Sequence, residues 1–456
     1  MKRRDFLKTS GLVGAGLTGL SVARSAQAAG DDVMKIGLVG CGGRARGALM
    51  DRLSAKDNVK VVAICDAFEE NAKGAAEAFR ANEDYAEQMA FDDDHVFWGF
   101  DAYKKVIDEC DEALIVTTPA FRPVHYAYAV EKGKHVFMEK PCCVDAPGYR
   151  SFLESNKIAD EKGLVVVVGF QRHYEPQYQQ LIEKIADGAI GDVMYTRVYW
   201  NGDGIWERAR QAGDSEMMYQ MRNWYHFNWL CGDGIVEQHC HNIDIANWIH
   251  SKGDFNGPNG HPVKCNAMGG RLTRKFPYFK NSGYRYDHYI CEFTYADGSQ
   301  MFSQCKHMAN TWSNVSETVY GTGGMGGPGW LNDRKGNKIW EIDREAPENK
   351  VPGPYQYEHH CQAKWIREGA KHNDGWFAAH SAMTSVFGRM AACSGQELSW
   401  DDAVNNGKAE FPLEGVTSWD QVPPVVPDAE PPVQPAEGEF LYENSVPLPG
   451  QWKWNA

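Results

Sequence analysis

The segment that most constrains this chain is Lys35-Ile36-Gly37-Leu38-Val39 running directly into Gly40-Cys41-Gly42-Gly43-Arg44-Ala45. An apolar run of strand length meets a glycine cluster, a helical stretch follows over about 44–54, and a second apolar run, Val59-Lys60-Val61-Val62-Ala63-Ile64-Cys65, ends at Asp66. Strand, glycine turn, helix, strand and acid is the order of a βαβ nucleotide-binding unit. In the G-x-G-x-x-A pattern Gly40 permits the tight turn, Gly42 lets the backbone approach a pyrophosphate, and Ala45 lets the helix sit close to the sheet. The helix start, with Gly43 and Arg44, then faces the phosphates. Asp66 would accept hydrogen bonds from the adenosine ribose hydroxyls and repel a 2′-phosphate, which favours NAD; Arg44 and Arg46 close by leave NADP open. A lone glycine pattern would equally suit a structural turn, and it is the strand–helix–acid context that favours the nucleotide.

Three further runs, Ala113–Pro119, His135–Pro141 and Leu164–Gly169, are apolar on both faces, as buried parallel strands are. A helix is expected over about 124–132, between the first two. Beyond about Arg172 the texture changes to longer alternating segments such as Val193–Trp200, Tyr286–Phe293 and Met301–Cys305, which read as an antiparallel sheet with one open face. A late helix is expected over about 380–394. The tail after Phe411, with Pro423-Pro424 and Pro431-Pro432, reads as an extended arm with no core of its own. The fold class is therefore α/β. Residues 29–170 form a Rossmann domain, 171–410 a second α/β domain with a large, mostly antiparallel sheet, and 411–456 the arm.

Residues 1–28 read as an address. Arg3-Arg4 with Phe6-Leu7-Lys8, a Gly-rich weakly apolar run and the small-x-small site Ala26-Gln27-Ala28 resemble a twin-arginine export signal, too short and too Gly-rich to span a membrane stably. A periplasmic destination is expected. Because that route carries folded proteins to a place without a nicotinamide pool, any such cofactor should be bound tightly and recycled. The formal charge of −14 disfavours nucleic acid and anionic membrane as partners. The twelve cysteines are scattered, with no C-x-x-C pair, so they are expected to be buried small hydrophobes.

Glu139-Lys140-Pro141 closes a strand where an open α/β sheet places its ligands. A lysine there can hold or protonate a substrate oxygen if partial burial lowers its pKa, although a solvated strand-end lysine is the plainer reading. In Gly232–Asp244, read as one helix, Glu237 and His241 are spaced i,i+4 and share a face with Asp244, an arrangement suited to an oriented general base. His239 would fall about 200° away from His241. The spacing is not that of zinc hydrolases, and no metal is expected.

Taken together, the Gly40–Ala45 turn, Thr117-Thr118-Pro119 with His125, Glu139-Lys140-Pro141, Gly169-Phe170-Gln171-Arg172 and His241-Asn242-Ile243-Asp244 resemble the Gfo/Idh/MocA family of glucose–fructose oxidoreductase and inositol dehydrogenase. The resemblance implies a Rossmann domain followed by an open-sheet domain used for oligomerisation, and a homo-oligomer, dimer or tetramer. It places the nicotinamide near Glu139-Lys140-Pro141, with Lys140 at the substrate hydroxyl and His241 as base. Thr117, Thr118, Pro119, His125, Glu139 and Gln171 join the cofactor site. Glu237 stands where the inositol dehydrogenase pattern has Asp, so the family's substrate does not carry over. Arg172, His173, Tyr174, Arg222, Trp224, Tyr225 and Asp244 are candidates for the substrate pocket. The expected activity is oxidation of a sugar or polyol hydroxyl. A nucleotide-dependent glycosidase or keto-glycoside lyase is the alternative, and a non-catalytic sugar-binding protein the third reading.

Overall fold

The computed structural model describes residues 32–271, 285–412 and 415–425, so the segment read as an export signal and most of the arm lie outside the described residues. The first sheet has six strands, all parallel, in the order β3-β2-β1-β4-β5-β6. They are β1 (Met34–Val39), β2 (Val59–Asp66), β3 (Val96–Trp98), β4 (Glu112–Ile115), β5 (His135–Met138) and β6 (Val166–Val168). Helices Gly43–Leu53, Glu69–Arg80, Ala102–Glu109, Arg122–Glu131 and Ala146–Lys162 supply the crossovers. The order reverses between β1 and β4, and this is where an open doubly wound sheet takes its ligand, beyond the carboxyl ends of the strands. Strands β4, β5 and β6 are buried at every position; they are apolar apart from Glu112 and His135, the first residues of β4 and β5.

One ion cluster fixes the first crossover. Arg52, wholly buried on Gly43–Leu53, donates from Nε to both oxygens of Glu112 at 2.9 and 3.0 Å and from Nη1 to Asp57 at 2.7 Å. The helix is thus tied to the start of β4 as well as to the turn before β2.

Among the described residues the second sheet has nine strands in the order β14-β13-β12-β11-β7-β10-β9-β8-β15. They are β7 (Val193–Gly202), β8 (Lys264–Gly270), β9 (His288–Thr294), β10 (Gln300–His307), β11 (Asn314–Gly321), β12 (Gly324–Gly327), β13 (Trp330–Asp333), β14 (Lys338–Glu341) and β15 (Leu398–Ser399). Only the central β7–β10 pair is parallel. Alternation puts Val198, Cys291, Phe293, Met301 and Cys305 into the core, while Met194, Met268, Ile290, Phe302 and Val315 lie on the open side.

Helix Gly375–Ser394 is buried along almost its whole length. It packs on β8 and β9 of the second sheet and on Ala146–Lys162 and β6 of the first domain. One apolar cluster consequently runs from Val39, Ile115 and Met138 through Phe387 and Met390 to Phe293. All twelve cysteines are free thiols, and all but the half-buried Cys361 are buried. No described helix is long and apolar enough to cross a membrane.

Candidate active site

A cleft of about 600 Å³ opens over the carboxyl edge of the first sheet and is roofed by the second domain. Gly40, Gly42, Gly43, Arg44 and Ala45 enter it after β1, Asp66 at the end of β2, Thr117 and Thr118 after β4, Glu139 and Lys140 after β5, and Gln171 and Arg172 after β6. Gly40 has φ +101°, and a Cβ there would lie 2.6 Å from the Val116 carbonyl oxygen, so the turn requires glycine. Beside Gly42 and Gly43 the space is open, and helix Gly43–Leu53 starts without a side-chain cap, leaving its first amides for an anion. Asp66 is held by the amides of Cys41 (2.8 Å) and Phe68 (2.9 Å) and by Asn71 Nδ2 (3.1 Å); burial nevertheless raises its pKa. This cradle fits a dinucleotide: open backbone for the phosphates and an oriented carboxyl for a ribose.

Arg44 is not left free for a 2′-phosphate. Its Nε donates to Glu139 at 2.5 Å, Nη1 to Asp51 at 3.0 Å, and Nη2 lies 3.6 Å from Glu358. Arg46 Nε donates to the Cys41 carbonyl. His125 lines the cleft with Nδ1 3.2 Å from Thr117 Oγ1, and burial, with Arg122 nearby, pushes its pKa down to about 3. Pro119 is buried and does not line the cleft.

The segment read as one helix is two. Gly234–Glu237 and Cys240–Ser251 are separated at Gln238-His239. The Glu237 carbonyl oxygen, which a continuous helix would offer to the His241 amide, instead accepts from Lys140 Nζ at 2.6 Å, and the His241 amide donates to Gln238. Glu237 Oε1 also lies 3.3 Å from Lys140 Nζ. The carboxylate therefore pairs with Lys140 rather than steering His241. Burial is the largest influence and opposes the Lys140 charge, but Glu237, Cys240 and Glu139 together more than offset it, so the pKa is raised and the lowering that would suit a proton donor is not found. His241 reaches the same cleft from the second helix, with Trp200 stacked at 6.0 Å and Phe170 edge-on at 5.7 Å. Burial, followed by Lys140, Arg172 and Arg44, holds its pKa well below 6.5, so the imidazole is neutral. His239 points elsewhere, bonded to Asn242 and Ser303.

Five buried polar atoms of cleft-lining residues have no hydrogen-bond partner: Arg44 Nη2, Arg122 Nε, Gln171 Oε1, Glu237 Oε2 and His241 Nδ1. Native cores rarely tolerate such atoms, so their gathering in the cleft that also holds Lys140 marks a place built for a polar ligand.

The other candidates divide. Arg172, Arg222 and Trp224 line the cleft. Arg172 is tied to Glu317, which also accepts from Asn242 and Tyr178. Arg222 sits over the Phe68 ring at 4.5 Å, paired with Glu70 and Asp214, which places it beside Asp66 rather than beside Lys140. His173, Tyr174, Tyr225 and Asp244 do not line the cleft. His173 is stacked between Trp248 and Phe377 and bonds Asp244 at 2.7 Å, while Asp244 also accepts from Ser381. Tyr174 is buried with its hydroxyl on Asp374. Tyr225 is buried next to Arg285 and His307. Lining residues without a local sequence signal are Tyr103, Trp200, Trp206, Arg208 and Tyr355, whereas Phe68 could have been found from its place two residues past Asp66. Among the described residues no group of three or more His, Cys, Asp or Glu side chains is arranged to hold a metal.

Residues 34–170 match the profile of an oxidoreductase family with an NAD-binding Rossmann fold, GFO_IDH_MocA. The first domain is a Gfo/Idh/MocA domain. An inositol 2-dehydrogenase/D-chiro-inositol 3-dehydrogenase of Lactiplantibacillus plantarum is 26% identical over 221 residues, 48% of this chain and 52% of the relative, so the chain spans about half the length of that curated relative. Levoglucosan dehydrogenase, solved with NADH and levoglucosan, has a TM-score of 0.61 at 17% identity, covering 81% of this chain and 99% of its own. An aldose-aldose oxidoreductase from Caulobacter crescentus, solved with glycerol, has a TM-score of 0.59 at 16% identity over 81% of this chain and all (100%) of its own. At these identities the likeness is one of fold, and it covers both the Gfo/Idh/MocA domain and the open-sheet domain that follows.

Proposed function

We propose that the protein oxidises a hydroxyl of a sugar or polyol, using NAD held as a resident, recycled cofactor. The observation that carries this reading is the set of unpartnered buried atoms, those on Gln171, Glu237 and His241 among them, in the cleft that holds the Lys140 ammonium and the cradle shaped for a dinucleotide. Bound in that cradle, the nicotinamide supplies the hydride acceptor. Lys140, kept charged by Glu237, polarises the substrate oxygen, and neutral His241 takes the hydroxyl proton. Trp200, Trp206 and Trp224 offer faces suited to a sugar ring. The similar proteins are inositol and sugar dehydrogenases or oxidoreductases, which favours this reading over a glycosidase or lyase. Export by the twin-arginine route to the periplasm belongs to the same proposal, supported by Arg3-Arg4 and Ala26-Gln27-Ala28. So does a homo-oligomer formed through the open face that carries Met194, Met268, Ile290, Phe302 and Val315.

The test is to denature purified protein, identify the released nucleotide by mass spectrometry, and follow nicotinamide absorbance of the native protein with inositols and aldoses. NAD released and absorbance rising with one of these substrates is the expected result; a protein that neither carries nor takes up NAD, or that responds to none of them, refutes the proposal. Because burial depresses the His241 pKa, its neutral form persists on acidification, and the acid limb of kcat/KM against pH is expected below pH 6.5. A limb at or above that value would remove His241 as the base.

A further inference from the structure

The nucleotide end of the cleft is not completed by the first domain alone. Phe68, Phe100 and Phe121, which line it near Asp66, are covered by residues far along the chain. Trp419 packs its ring 4.5 Å from Phe68 and 4.5 Å from Phe100, and Phe411 meets Phe121 edge-on at 5.0 Å. The arm is anchored on both sides of these contacts. The amides of Glu410 and Phe411 donate to Asp145 at 2.8 and 3.0 Å, Ser215 Oγ donates to the Trp419 carbonyl at 2.6 Å, and Gln220 Nε2 donates to the Val425 carbonyl at 2.6 Å. Val416 completes the apolar cluster with Met217, Tyr219 and Trp229.

We infer that Trp419 is a positioning residue for the adenosine half of the dinucleotide, and that the arm acts as a clasp slowing nucleotide loss. Trp419 acts through Phe68: that residue's ring bears on the cleft while its amide fixes one oxygen of Asp66 at 2.9 Å. Holding Phe68 therefore holds both the apolar wall for an adenine and the carboxyl aimed at its ribose. The Arg222 guanidinium on the same ring, neutralised by Glu70 and Asp214, adds a second brace. The inference rests on the NAD reading above and adds to it a structural cause for retention.

The experiment compares wild type, Trp419→Ala, Trp419→Phe and Ser215→Ala in the full-length chain. It measures NAD remaining after long dialysis, Kd for NAD by quenching of protein fluorescence, and the melting temperature without nucleotide. Trp419→Ala is expected to lose its NAD with Kd raised about tenfold or more, and Trp419→Phe to restore retention. A lowered melting temperature with wild-type affinity would mean a purely structural ring and would overturn the inference. Should Trp419→Ala fail to fold, Ser215→Ala decides: weaker retention supports the clasp, and unchanged retention overturns it. A wild-type protein that holds no NAD would defeat the cofactor reading itself, which is a separate result.

Discussion

Replacing His241 by alanine should lower turnover by about 10²- to 10⁴-fold and leave the nucleotide in place, and Lys140→Ala should do the same. His241 enters the cleft from the second domain, with its Nδ1 buried and unpaired, and makes no hydrogen bond that the cradle of Gly40, Gly42 and Asp66 depends on. Removing Lys140 leaves Glu237 buried without its cation. That carboxyl, whose pKa burial already raises, would then take up a proton rather than unfold the protein. Steady-state turnover on the best substrate, beside the amount of nucleotide released on denaturation, reads both effects. Either variant at wild-type rate would remove the role assigned to that residue.

The second large effect concerns stability. Arg52→Met should cost about 3–5 kcal/mol, because it strands Glu112, wholly buried, after removing both of its bonds to the guanidinium. Adding Glu112→Leu should recover much of the loss, since replacing both partners of a buried pair by apolar groups is often close to neutral. Urea unfolding of the two variants and the wild type measures the coupling. A single variant as stable as wild type would show that the pair contributes nothing net.

The Rossmann half was legible because its signals are local. Buried parallel strands leave uninterrupted apolar runs, and a glycine turn that must approach a ligand leaves a pattern within six positions. The site's second half was less so. Helical spacing put Glu237 and His241 on one face of a single helix; both line the cleft, but from two helices, because nothing within Gly232–Asp244 announces that Lys140, distant in sequence, takes the Glu237 carbonyl. The same blindness turned His173 and Asp244 into pocket candidates. A strand-end position suggested the first and a shared helical face the second, whereas they bond each other, His173 between the rings of Trp248 and Phe377. The arm reads as an extended segment with no core of its own, yet among its described residues Trp419 and Phe411 enter a core made with distant parts of the chain. Trp206, Arg208 and Tyr355 reach the cleft only through tertiary packing, which no spacing encodes.

Helix Gly375–Ser394 belongs to both halves of the molecule at once, and its apolar cluster passes from one sheet to the other without a break. Swinging one half away from the other would have to break the packing of this helix on β8 and β9 or on Ala146–Lys162 and β6. Local unfolding of this helix would expose apolar surface of both halves at once, which couples the stability of one to that of the other.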